Sequence, residues 1–394
     1  SYVTLINTNY YIPTDGYNAN VTGAETRIRN KKGTLSVFGR FNLSQKYLQS
    51  EKPDLGHHYV VALGKPSGKF RFEILRAVMN DTYDINDMGF LTYNNEANNS
   101  LTLSWNDYEP KGKILNTESR MGVDYNTLST GTFKSFDLYI SNSIRFSNFW
   151  NNYIQVNSQP AGYTDFYEPR VWGRIYKVPY TLAGEWSLNS DNRKLLRYQH
   201  NLGFETSPDN HHFSWWAGLV PRFRFSDRFS VTLQVKYECD QNNYGWVDML
   251  TDSAGMSEIV FGRRDILTFN NILSTKYIFS PKVSLSLRAR HYWSQAKYFA
   301  YSALQDDGSL RDLPYDQGSD INFNSFSADL QFVWYFAPGS ELSVVWKNDI
   351  LTTGDQIRHH YFDELGRTLS SPQTNSFSFR VLYYLDYLML RKRR

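Results

Sequence analysis

The chain holds a single cysteine, Cys239, among its 394 residues. No intrachain disulfide and no cysteine-rich metal site can therefore form. It has no continuous apolar run long enough to cross a bilayer as a helix. Its net charge is only +3, too slight to argue for a nucleic-acid partner. No leader peptide is visible, and the chain starts at Ser1 rather than methionine. Mean hydropathy is −0.53, which on its face describes a soluble protein.

Aromatic residues are plentiful. Tyr, Phe and Trp number 29, 26 and 10, or 16% of the chain, and rings with a polar handle suit the two edges of a bilayer. A membrane β-barrel conceals its hydropathy signal, because each apolar residue is followed by a polar one. Residues 264–302 show this pattern most clearly. After the turn at Phe279-Ser280-Pro281-Lys282, one parity holds Val283, Leu285, Leu287, Ala289 and Trp293, and the other holds Ser284, Ser286, Arg288 and Arg290. A period of two over this length means a strand with one apolar and one polar face. Globular strands peak at about 5–6 residues, whereas a tilted strand of about 9–11 crosses a bilayer. A soluble sandwich or propeller would need no strands so long.

The same alternation recurs along the chain. Residues 2–9, 18–30 and 34–47 read as the first strands, with Asn-Lys-Lys-Gly as the tight turn between the second and third. Short turns follow at 65–68, 109–112, 147–148, 189–193, 226–227, 280–281 and 337–339. Longer connections alternate with them near 80–97, 160–171, 241–257, 303–320 and 353–372, and shorter ones near 50–55, 126–131 and 206–210. Outer-membrane barrels have short periplasmic turns and long outer loops. The sequence therefore predicts an all-β chain: a transmembrane antiparallel β-barrel of about 18 strands over residues 1–388, with residues 389–394 as a basic periplasmic tail. Because a barrel must be exported, a leader is expected to have been removed.

The stretches DFYEPRVWGRIYKVP (165–179), VFGRRDILTFNNILSTKYIFSPKVSLSLRARHYWSQ (260–295) and SFSFRVLYYLDYL (376–388) resemble a group of Bacteroidota outer-membrane barrels of unassigned function. The resemblance covers most of the chain from about Asn18 onward. In that group the barrel usually follows a domain similar to family 9 carbohydrate-binding modules. The resemblance thus implies further strands upstream and a glycan partner held by such a domain. It transfers no catalytic or ligand residue.

Candidate chemistry is sparse, and no cofactor is implied. Histidine pairs occur at His57-His58, His211-His212 and His359-His360. Adjacent strand residues point to opposite faces, so each pair offers one inward imidazole. Three of these could meet at a metal only if distant strands converge, and interface histidines are the simpler reading. His212 and Ser214 share a face, as in outer-membrane phospholipase sites, but that face reads as the lumen, away from lipid. Asp84, Asn86, Gly89 and Glu96 form part of a calcium-loop pattern with Met88 where an oxygen ligand belongs, and Asp240, Asn242 and Asp248 are a weaker case. Proteolysis of the omptin kind would need paired acids and a histidine at the rim, and nothing in the sequence joins them.

The lumen is better defined. Parity assigns to it Arg40, Arg222, Arg224, Lys236, Glu238, Arg288, Arg290, Glu341, Lys347, Asp349, Arg380 and Asp386, a mixed wall with basic bands at 222–224 and 288–290. Asn142 and His200 fall instead on the apolar parity. A polar group exposed to hydrocarbon without a partner costs about 1–3 kcal/mol, so either a strand slip or bulge turns these residues inward or they mark patches that another outer-membrane protein would cover. Three functional readings follow. The first is a channel for small solutes. The second is an accessory barrel in a larger outer-membrane complex, and the third is an outer-membrane hydrolase. Outer-membrane lipid and lipopolysaccharide are the expected surroundings.

Overall fold

The computed structural model describes residues 1–14, 16–47, 52–251, 257–315, 318–385 and 387. The expected basic tail, 389–394, lies outside these residues, as does Asp386. Eighteen strands of eight to 24 residues form one antiparallel sheet. In chain order they are β1 Tyr2–Ile12, β2 Tyr17–Arg29, β3 Ser36–Tyr47, β4 Asp54–Lys65, β5 Phe70–Met79, β6 Glu96–Asp107, β7 Ile114–Thr127, β8 Phe133–Phe146 and β9 Asn151–Gln159. They continue as β10 Thr181–Asn189, β11 Gln199–Ser207, β12 His212–Leu219, β13 Phe229–Thr251, β14 Ser257–Ser280, β15 Val283–Leu304, β16 Ile321–Ala337, β17 Ser340–Gly354 and β18 Thr374–Leu382. Each pairs antiparallel with the next, in an unbroken meander. Among the described residues β1 and β18 are the two edges, and no pairing joins them.

The expected tight turns are present. At the β2–β3 turn, the Asn30 side-chain oxygen accepts from the amides of Thr34 and Leu35, and Gly33 adopts a positive φ of 65° that favours a residue without a side chain. Two expectations need correction. The polar run at 241–257 is not a long connection. β13 continues through it to Thr251 by way of a β-bulge between Asp240 and Asn243, where Asn242 has a φ of 55°. Before β11, pairing is interrupted at Tyr198, whose amide and carbonyl are taken by the Ser190 side chain and amide. The last strand stops at Leu382, so Tyr383, Leu385 and Tyr387 lie beyond it.

Register makes the two faces continuous from strand to strand, since directly paired residues share a face. One row of the apolar face runs Val231, Thr275, Leu287, Leu330, Trp346, Phe377. Many of its large apolar side chains are exposed, including Leu63, Ile74, Met121, Ile140, Trp215 and Phe377.

Two of the connections that fold back onto the sheet lie against its longest strands. The first, residues 160–180 between β9 and β10, forms a strap. It contains a short hairpin, Tyr163–Asp165 with Tyr176–Val178, closed at Gly162, where a Cβ would lie 2.1 Å from the Val178 carbonyl oxygen. The strap reaches β13–β15: the Tyr176 ring packs 4.9 Å from Phe261, the Trp246 amide donates to Glu168 (2.7 Å), and the Arg174 guanidinium donates to the Leu304 carbonyl (2.9 Å). The second is the connection between β17 and β18, which carries the only α-helix among the described residues, α1 Tyr361–Leu369. This helix clasps the apolar face at the long-connection end of β14–β17.

Candidate functional site

Registers place the eleven expected lumen residues that lie in β3, β13, β15, β17, β18 and the short strand Arg222–Arg224 on one polar face. Several are paired there. Arg40 donates to Glu25 through Nε and Nη2 (2.8 and 2.6 Å). Lys236 meets Glu238 at 2.7 Å, Arg380 meets Glu341 at 3.0 Å and Lys347 meets Asp329 at 3.7 Å. Arg290 donates to Asn270, and Arg224 to the Arg193 carbonyl. Arg222 and Arg288 make no ion pair with any described residue.

These two arginines line a concavity of about 500 Å³ at the short-turn end, together with Arg197 and Lys276. The cross-strand sequence Arg197, Arg222, Thr232, Ser274, Arg288, Asp329 is one continuous row of the polar face. Arg288 was legible from parity, but Arg197 and Lys276 were not singled out, although both fall on the polar parity of their strands.

A second cavity, about 250 Å³, opens on the same face at the long-connection end, beneath the strap. It is lined by Glu205, Ser207, His212, Ser214, Glu238 and Asp240 from β11–β13 and by Tyr163 and Tyr176 of the strap. His212 Nε2 lies 2.7 Å from Asp240 Oδ1, and Asn243 donates to the other carboxylate oxygen at 2.9 Å. His212 thus places its Nε2 on Asp240, and no hydrogen bond joins it to Ser214 among the described residues. Burial and the nearby Asp165 carboxylate push the Tyr163 phenol up to about 12, and burial pushes Tyr176 up as well. Both remain neutral hydroxyls. Along β13 the polar face therefore changes from basic near Thr232 to acidic near Asp240.

Other expected sites stay apart. No group of three or more His, Cys, Asp or Glu residues able to hold a metal occurs among the described residues. Asp84 pairs with Lys46 (2.6 Å); burial opposes its ionisation, but the Lys46 hydrogen bond prevails and the carboxyl sits below its usual range. Asn142 lies on the apolar face and donates to Ser119 (2.8 Å) on the neighbouring strand, so the sheet itself supplies the partner it needs. His200 lies on the same face beneath Trp186 (ring centroids 4.4 Å), with Nδ1 3.1 Å from the Tyr198 hydroxyl and Nε2 unpartnered.

The largest polar feature of the apolar face escaped parity reading. Beneath α1, His291, Gln295, Asn322 and Asn324 are buried in register with Leu287 and Leu330. Asn322 and Asn324 both donate to Glu364 Oε1 (2.9 and 2.8 Å), whose other oxygen meets Arg358 Nε at 3.0 Å. His291 Nδ1 lies 3.0 Å from the Tyr361 hydroxyl, and Gln295 donates through Nε2 to the Arg358 carbonyl and accepts through Oε1 from the Arg358 amide. The signal was four polar side chains at apolar-parity positions of two adjacent strands.

A family model described as a domain of unknown function, DUF5916, matches residues 1–394. The chain belongs to the DUF5916 family. No curated protein matches it. Two of the stretches that carried the resemblance, 165–179 and 260–295, touch each other in this DUF5916 chain where Tyr176 of the strap meets Phe261 of β14.

Proposed function

We propose that this chain is an outer-membrane β-barrel that conducts small solutes. The observation that carries this reading is the meander itself: eighteen strands, nearly all long enough to cross a bilayer, with one continuous apolar face exposed and one continuous polar face. An even, all-antiparallel meander can close by pairing β1 with β18, and rings of 16–18 strands hold an aqueous lumen. In this reading the apolar face meets outer-membrane lipid and lipopolysaccharide, the polar face is the lumen, the tight turns are periplasmic and the long connections lie outside. Purified chain inserted into a planar bilayer is expected to give discrete conductance steps. Cysteines placed at Gly308 and Gly366 of intact cells are expected to react with an impermeant label, while Ser67 and Gly339 stay silent. Absence of conductance, or the reverse labelling pattern, would overturn the reading.

The accessory-barrel reading has its own support in His200, which keeps an unpartnered ring nitrogen on the apolar face. A photo-crosslinker at position 200 in native membranes would capture a neighbouring protein if this barrel works in a complex. Capture of lipid alone would remove that reading.

A further inference from the structure

We propose that the basic concavity at the short-turn end binds soluble oxyanions, small phosphate- or carboxylate-bearing solutes, so that the channel proposed above selects for anions. The proposal rests on that channel reading for its consequence, but the site stands on its own geometry. Arg197 and Arg222 are direct cross-strand partners, and like charges directly opposite each other on a sheet repel. Beyond β13, the strands β14 and β15 add Lys276 and Arg288 to the same concavity. Against these four cations stands one lining carboxylate, Asp329, which is already shared with Lys347. Arg222, Lys276 and Arg288 make no ion pair with any described residue.

Between the cations, the row is filled by hydroxyls: Thr232 and Ser274 separate Arg222 from Arg288, and Ser286 flanks Lys276. Guanidinium forks and hydroxyls are the donor set that oxyanions take, since guanidinium matches the spacing of two oxyanion oxygens. Strands stand about 4.8 Å apart, so the stems of Arg222 and Arg288, three strands from each other, lie roughly 14 Å apart. Long side chains leaning inward can close on a solute of a few heavy atoms. The concavity lies on the polar face, so a soluble anion rather than a membrane headgroup is its occupant.

Equilibrium dialysis of the full chain in neutral detergent, with labelled inorganic phosphate, tests the site directly. Saturable binding is expected, weakening as ionic strength rises through about 0.15 M. The double variant Arg222→Gln, Arg288→Gln should bind about tenfold or more weakly, as loss of charge-assisted hydrogen bonds requires. The pair Arg222→Lys, Arg288→Lys controls for folding and should keep binding within a few-fold. In planar bilayers under a salt gradient the wild type should prefer anions, and Arg222→Glu with Arg288→Glu should shift the reversal potential toward cations. Phosphate binding that is absent, or that short-chain phosphatidylglycerol displaces and citrate does not, would overturn the proposal. A chain that binds phosphate but conducts nothing keeps the site and loses the channel, and one that conducts without anion preference or phosphate binding does the opposite.

Discussion

Leu287 and Arg288 are neighbours in β15 with opposite fates. Leu287 joins the apolar row with Leu330 and Thr275, while Arg288 stands opposite Ser274 and Asp329 on the polar face. In lipid, Leu287→Arg is expected to cost about 2–4 kcal/mol near the midplane, and Arg288→Leu much less because no ion pair is broken. Folding titrations in vesicles would separate the two, and equal costs would mean that the faces are misassigned. Turns offer a cleaner electrostatic test, free of the bilayer. Asp191, between β10 and β11, is held at about 2 by the Arg193 guanidinium and amide. A depressed carboxyl stabilises the fold fully above its unfolded value near 3.8 and loses that contribution as pH falls toward 2. Asp191→Asn should therefore narrow the stability difference between neutral pH and the acid range, read by denaturant titration at several pH values.

Strands, strap and clasp differ in how far sequence could reveal them. The β14–β15 hairpin was readable because parity persists through Leu285, Leu287 and Ala289, and the faces it predicts are the faces observed. The run Gln241-Asn242-Asn243 misled because polar residues in a β-bulge look like a loop until the partner strand is known. His291 and Gln295 were invisible as a site for a related reason. Their importance comes from Asn322 and Asn324 on β16 and from Glu364 on α1, brought together only by pairing. The helix also buries Glu364 and Thr368 while Phe362 and Leu369 stay exposed, so its apolar pattern does not mark the residues that pack. Glu364→Ala would remove the one carboxylate that Asn322, Asn324 and Arg358 share, at an expected cost of about 1–3 kcal/mol. Limited proteolysis should then cut within 355–373 faster than in the wild type, with the rest of the sheet unaffected. For the strap, Tyr176→Ala and Phe261→Ala should be coupled by about 0.5–1.5 kcal/mol in a double-mutant cycle, as a packed aromatic pair predicts. Additive effects would mean that the strap does not depend on that contact.

At the scale of the whole sheet, the proposed barrel requires its two edges to meet. β1 and β18 are exposed along their lengths, and an even meander runs them antiparallel, as closure needs. Cysteine pairs walked along the two strands in a Cys239→Ser background should crosslink along one antiparallel register. Failure of every pair would mean that other strands stand between them. The three longest neighbours, β13–β15, carry 23, 24 and 22 residues. At about 3.3 Å per residue and a tilt of 35–45°, they climb roughly 55 Å, against an apolar band of about 25 Å. In the proposed barrel they would stand well clear of the membrane, buttressed by the strap, while the strands from β1 to β12 would end near its surface. The mouth would then be a parapet on one flank and a low sill on the other, giving the molecule a front and a back. Anything too bulky to pass over the parapet, whether an antibody, a phage fibre or a neighbouring barrel's loops, would have to approach across the sill.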